Sequence, residues 1–407
     1  MTSVKLLSVC MCLAACLHTL LAQDTSLIDE LFSWISKNGG VINAEVRINK
    51  DGVRGLFATE RIPKLGLIAS IPAACMINVG SQSQSASTHI MHVLREYKLG
   101  NNSRFWPYIK TWPKYHEMAT ECNMDDKYVP MWKSDHFPER PAPSISLMSS
   151  DSSSPAIPLP ATHDHGSGAA AMLPPWTSCR EANHQTWQGF LRRIWDGSAN
   201  RELEYTIEEV VGKDVEVTLA DVKYAAAITV SRYLAVHGRP RLMMAPIFDL
   251  ANHDNHCTTY LESYVKSDYL HMKAGVDYEP GDEICYSYGD LRDDYAVSAY
   301  GFLPALEDPP RLAYVDHPGF EPRGAYRAPS DDRIAGPPEA LRAEVQRLAA
   351  IRARITGTPD IVPRAEGEDW VWDMMKQLEA RRIAAIDYEL ARIAELLAEA
   401  TGDAREL

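Results

Sequence analysis

A chain of 407 residues, 45% hydrophobic and 24% charged, is long enough to bury a full core and to hold two or three folding units. Its formal net charge of -14 and pI near 5.4 argue against nonspecific nucleic-acid binding, which needs clustered Lys and Arg to neutralise phosphates. A basic or amine-bearing substrate is easier to accommodate on such a chain.

Residues 1–22 stand apart from the fold. Lys5 precedes an apolar run from Leu6 to Leu21 that closes on the small residue Ala22, the pattern of a secretory signal peptide cleaved near that point. A signal anchor is the rival reading, because the run is at the short limit for spanning a bilayer. Either leader implies the secretory pathway or membrane association, with a plastid reached through that pathway as the alternative. Of eight cysteines, Cys10, Cys12 and Cys16 lie in the leader, leaving Cys75, Cys122, Cys179, Cys257 and Cys285. An odd remainder with irregular spacing is no disulfide framework.

Ser26 to Ser36 has helical spacing, with Leu27, Leu31, Trp34 and Ile35 on one side and Gly39-Gly40 ending it. Val41 to Ser70 reads as short strands separated by Lys50-Asp51-Gly52 and by Pro63-Lys64-Leu65-Gly66. Ser85 to Tyr97 is a further helix, and Trp106, Tyr108 and Trp112 behind it read as core anchors. The stretch 133–175 is rich in Ser, Pro and Gly, a composition that supports no packed core and implies a flexible loop. Helical spacing resumes over Arg180 to Trp195 and again over Leu219 to His237, where Tyr224, Ala227, Ile228, Ser231 and Leu234 share a face.

Ala245 to Leu250 is a Pro-opened apolar run, too short for a helix, followed at once by the polar Asn252 and His253. Tyr278-Glu279-Pro280-Gly281 is a turn signal, and Glu283 to Tyr288 behind it has strand character. Tyr286 and Tyr288, two apart, would share one face. His253, His256 and Cys257 lack further ligands at familiar spacings, so no metal is expected. Residues 306–338 read as a linker, and Glu339 to Ile355 and Asp369 to Ala400 as amphipathic helices.

In order, Asp249, Asn252 and His253, then Gly281, Ile284, Tyr288 and Gly289, then Tyr300, Gly301 and Phe302 resemble the SET-domain protein methyltransferases, in the branch typified by the Rubisco large-subunit lysine methyltransferase. The resemblance extends to Asp51 to Ile62, Arg104 to Pro113 and Val230 to Leu234. It implies an α+β fold: a SET domain over 23–305, built of short sheets with a flexible loop and a helical insert reaching about 237, then a helical C-terminal domain over 339–407 that helps hold the substrate. It implies S-adenosyl-L-methionine as cofactor, held by Gly52, Val53, Arg54, Arg232, Asp249, Asn252, His253 and Tyr300. Asn and neutral His each offer donor and acceptor to its amino and carboxylate ends, and a guanidinium forks onto the carboxylate. Tyr288 is the expected catalytic residue, and Tyr286 and Leu234 the expected walls of the substrate channel. The implied activity is lysine N-methylation of a non-histone protein by a monomer that binds neither nucleic acid nor metal. Histidine methylation on the same scaffold, and an inactive SET module that binds a protein partner, are the alternatives.

Overall fold

The computed structural model describes residues 26–81, 83–120, 122–124, 128, 146–148, 189–196, 206–235, 241–263, 268–289, 291, 293–306, 310, 333–356 and 369–401. The leader and nearly all of the 133–175 stretch lie outside these residues. The architecture is α+β, with short strands gathered into small sheets and helices packed around them.

The N-terminal helix, 26–37, ends where Gly39 takes a φ of +88°. Five strands follow with helices between or after them: β1 (Val41–Ile42), β2 (Ala44–Ile48), β3 (Arg54–Ala58), β4 (Leu67–Pro72) and β5 (Ile77–Ser81). The β2–β3 hairpin turns on Asn49, whose side-chain oxygen accepts the N–H groups of Asp51 and Val53, both at 3.0 Å. Gly52 supplies the positive φ that such a tight turn demands. Helix Ala86–Leu99 starts at Ser85, whose hydroxyl accepts from the Thr88 N–H.

Two three-residue strands, β6 (Ser146–Met148) and β13 (Arg333–Ala335), pair with each other antiparallel. A flexible loop and a linker were expected there; each gives three residues to a common ribbon, because backbone pairing does not depend on side-chain composition.

Helix Leu219–Arg232 is opened by a capping box between Thr218 and Asp221. It stops at Arg232, and the next residues form β7 (Tyr233–Ala235) against β8 (Arg241–Met244), with Leu234 opposite Met243. Leu234 is therefore a strand residue and not part of the helical face that the periodicity suggested. Strand pairing in the β5-β8-β7 sheet overrides the helical spacing there.

The remaining strands are β9 (Asn252–His253), β10 (Tyr260–Glu262), β11 (Tyr269–Lys273) and β12 (Glu283–Tyr286). One sheet runs β1-β4-β11-β10 and a second runs β2-β3-β12-β9. In the second, β12 lies antiparallel to β3, with Ile284 opposite Leu56, and parallel to β9, with Cys285 opposite Asn252 and Tyr286 opposite His253. Ile284 and Leu56 are fully buried, so this pair anchors the sheet to the core. Gly281, at a φ of +90°, makes the turn into β12 as the Pro-Gly signal requires.

A disulfide joins Cys257 to Cys285. Irregular cysteine spacing argued against a framework, and among the described residues this one bridge is what forms. It ties the segment after β9 to the middle of β12, the strand with which β9 pairs in parallel.

Helices Pro338–Thr356 and Asp369–Thr401 begin and end within a residue of the amphipathic runs read from the sequence. They pack through Leu341, Leu348, Ile351 and Ile355 against Ile386 and Ile393. The first half of the longer helix does something else: Val371, Trp372, Met374, Met375 and Leu378 pack on Ala119, Met124, Tyr128 and Val297. Arg381 extends that attachment, donating to Asp293 at 3.1 Å and to the Pro304 carbonyl at 2.8 Å. No helix among the described residues is long and apolar enough to cross a membrane.

Candidate active site

The chain between β8 and β9 is forced through a tight, buried turn. Ile247, a β-branched residue, sits at a φ of +76° and is fully buried. That conformation is costly for such a side chain and persists only where surrounding packing over-determines it. It feeds the short helical turn Phe248–Leu250, which brings the Asp249 carboxylate inward and places Asn252 and His253 on the edge of β12.

Asp249 meets Arg232, at the end of its helix, through Arg232 Nη1 to Asp249 Oδ2 at 2.6 Å and to the Asp249 carbonyl at 3.3 Å. Only 14% of the Arg232 side chain and 7% of that of Asp249 are exposed, so this is a buried ion pair whose members need each other. Burial alone would lower the guanidinium pKa, but Asp249, Tyr108 and Tyr288 together outweigh it and the net direction is upward. The Tyr108 hydroxyl donates to the same Oδ2 at 2.8 Å. Arg232 Nε and Asp249 Oδ1 are nevertheless buried with no hydrogen-bond partner. Such atoms are rare enough in native structures to mark places where a ligand or water completes the set.

Asn252 gives its side-chain N–H to Glu283 Oε1 at 2.7 Å, and Asn49 reaches the same carboxylate at 3.3 Å. His253 has both ring nitrogens engaged: Nδ1 accepts from the Tyr288 backbone N–H at 3.0 Å, and Nε2 lies 2.8 Å from Asn255 Oδ1. These partners fix the neutral tautomer with the proton on Nε2. A cofactor contact through side chain or backbone was expected of His253; both of its ring nitrogens are committed within the protein. Cys257 is committed to its disulfide, and among the described residues no cluster of His, Cys, Asp or Glu of metal-binding make-up is gathered.

Beyond the end of β12, the Tyr288 hydroxyl donates to the Ala251 carbonyl at 2.8 Å. Its ring lies 5.0 Å from Tyr300, 5.2 Å from His253, 6.1 Å from Tyr286 and 6.3 Å from Phe302. Burial pushes the Tyr288 phenol up to about 12, with Arg232 opposing and Asp249 adding to the rise. Burial raises Tyr286 further. An aromatic enclosure with two neutral phenols thus stands beside a carbonyl acceptor and within electrostatic reach of the Arg232–Asp249 pair.

Seven of the expected site residues therefore converge: Arg232, Asp249, Asn252, His253, Tyr286, Tyr288 and Tyr300. Gly52 and Val53 lie at the exposed tip of the β2–β3 hairpin, and Arg54 donates to the Thr111 carbonyl at 3.3 Å. Leu234 packs at the edge of the main core from the β5-β8-β7 sheet. Glu283, Asn255 and Tyr108 were missed as site residues. Glu283 follows the Gly281 turn, and its acidic side chain in a strand at the site edge was the one available signal.

A SET-domain family model matches residues 53–289, more than half of the chain. The fold and site define a SET-type protein, and the chain belongs to the SET-domain family. Among solved structures, it resembles the SET domain of LSMT bound to lysine and AdoHcy, with a TM-score of 0.54 at 13% identity over 94% of this chain and 93% of that one. Rubisco LSMT bound to AdoMet gives 0.53 at 13% identity over 94% and 93%. The LSMT SET domain bound to methyllysine and AdoHcy gives 0.51 at 14% over 92% and 91%. At such identities the likeness is one of fold. A search of curated proteins found no match.

Proposed function

We propose that the chain is an S-adenosylmethionine-dependent protein-lysine N-methyltransferase acting on a non-histone protein. The observation that carries this reading is the Tyr288 hydroxyl held on the Ala251 carbonyl inside the enclosure of Tyr286, Tyr300, Phe302 and His253.

The donor set fits the cofactor's amino-acid end. Arg232 has a buried Nε with no partner and Asp249 a buried Oδ1 with none, one suited to a carboxylate and the other to an ammonium. When bound there, S-adenosylmethionine supplies an electrophilic methyl group. Arg232 and Asp249 would hold its charged end, with Asn252 and the His253 backbone beside them.

The protein's own contribution is positioning and desolvation. A lysine amine attacks only when neutral, and its pKa in water is about 10.4. Exclusion of water from the enclosure disfavours the ammonium form and so favours loss of that proton. The Tyr288 oxygen and the Ala251 carbonyl both have lone pairs to accept the amine's N–H groups and set its direction. With its pKa raised, Tyr288 stays protonated and orients the amine; it does not remove the proton.

The test is transfer of isotope-labelled methyl from S-adenosylmethionine to proteins of the source tissue, with the modified residue located by mass spectrometry. Label on lysine supports the proposal, whereas label confined to histidine would replace it with the neighbouring chemistry. Cofactor binding without transfer to any protein would instead indicate a partner-binding module.

A further inference from the structure

The Arg232–Asp249 pair is held in an unusual way. A guanidinium and a carboxylate ordinarily meet fork to fork, with two parallel hydrogen bonds. Here Arg232 uses Nη1 alone on Oδ2, and its second acceptor is the Asp249 carbonyl. The Tyr108 hydroxyl takes up that same Oδ2, leaving Oδ1 and Arg232 Nε buried and unsatisfied. Tyr108 is 1% exposed and comes from the short helix Trp106–Ile109, so it cannot swing aside without disturbing the core. Trp112 braces it edge-on, with ring centroids 5.5 Å apart at 85°.

We propose that Tyr108 is a positioning residue for cofactor binding: by holding Asp249 Oδ2 it prevents the fork-to-fork closure of Asp249 on Arg232 and keeps guanidinium donors available for the cofactor's carboxylate. This rests on the reading of the site given above. Without the hydroxyl, Asp249 is free to turn both oxygens onto Arg232. Arg232 Nε and Asp249 Oδ1 would then satisfy each other, and the site would lose the two atoms that recognise an amino acid. Tyr108 acts only through Asp249 and Arg232, so it should affect ligands that carry the amino-acid end and leave the nucleoside end alone.

That selectivity is the test. Calorimetric titrations would compare S-adenosylhomocysteine with methylthioadenosine, which has the same nucleoside and thioether but no amino acid, on wild type and on Tyr108→Phe, with thermal melting of each. A hydrogen bond to a charged group commands about tenfold or more in affinity. The expected result is a loss of about that size for S-adenosylhomocysteine and less than about twofold for methylthioadenosine. The titrations are made below the melting transition of Tyr108→Phe, so that folded protein is compared with folded protein even if that variant melts early. Equal loss of both ligands in Tyr108→Phe, or no loss of either, overturns the role of Tyr108. Wild-type protein that binds neither ligand overturns the cofactor reading itself and the role of Tyr108 with it.

Discussion

The backbone N–H of Tyr288 donates to Nδ1 of His253 at 3.0 Å, so the ring of one motif carries the backbone of the other. The two lie 35 residues apart in sequence, and this bond sets where the Tyr288 ring begins its path toward the Ala251 carbonyl. His253→Phe would keep the ring packing against Tyr288 and Phe302 while deleting both hydrogen bonds. It leaves the Tyr288 N–H without its partner, at a cost of about 1–3 kcal/mol. The expected outcome is a kcat at least about tenfold lower, since a misplaced orienting group is costly. The Kd for S-adenosylhomocysteine should change much less. Single-turnover rates beside calorimetry check this, and a loss confined to Kd would assign His253 a direct ligand role.

The pH dependence follows from the raised phenol. Tyr288 has a folded pKa of about 12 against about 10 when free. Its neutral form is therefore favoured by the fold, fully so below about pH 10, and that contribution is lost only as the pH climbs through the folded value. Between about pH 7 and pH 10 turnover should rise as the substrate amine loses its proton, with no inflection from Tyr288. Tyr288→Phe should lower kcat on the order of a hundredfold and keep the same slope. A wild-type inflection below about pH 9 that disappears in Tyr288→Phe would make the tyrosine a base and refute this account.

Much of this arrangement was legible in the sequence because it is local. The Pro280-Gly281 turn, the strand behind it and the Asn252-His253 pair each announce themselves within a few residues. Tyr108 was not legible: its partner Asp249 is 141 positions away, and a buried tyrosine among tryptophans looks like packing until its hydroxyl is seen to have a carboxylate to reach. Leu234 failed for a different reason. Helical spacing continued past Arg232, and only the strand opposite, Leu242 to Met244, shows that the chain had already become extended. The pairing of Cys257 with Cys285 was hidden because cysteine spacing alone carries no register, whereas the Cys285 and Asn252 pairing does.

Gly55 supports Asn252 from beneath. A Cβ at this position would fall 2.5 Å from Glu283 Oε1 and 2.9 Å from Asn252 Nδ2, closer than real contacts allow. Both atoms belong to the bond that holds the Asn252 amide, so Gly55→Ala should break that bond before it disturbs the β3 backbone. The Glu283 side chain can swing away, which keeps the stability cost to about 1–2 kcal/mol. Affinity for S-adenosylhomocysteine should fall by about tenfold. Melting and titration measured together test the claim: a large drop in stability with unchanged affinity would make Gly55 a packing residue only.

The Cys257–Cys285 bridge closes a loop of 28 residues around the strand that faces Asn252. Loop-closure entropy for that length corresponds to about 3–4 kcal/mol of stabilisation. Cys257→Ser, Cys285→Ser and the double variant should each unfold at lower denaturant, with no further loss in the double, because either single change removes the whole cross-link. A dithiol reductant should lower the wild-type midpoint toward theirs and leave the variants where they are. Cofactor affinity should fall in parallel, since the bridge is bound to β12 directly opposite Asn252. Peptide mapping under non-reducing conditions identifies the bridge itself. If the mapping shows it formed and the midpoints still coincide, the parallel β9–β12 pairing alone carries the stability of this edge, and the disulfide adds nothing to it.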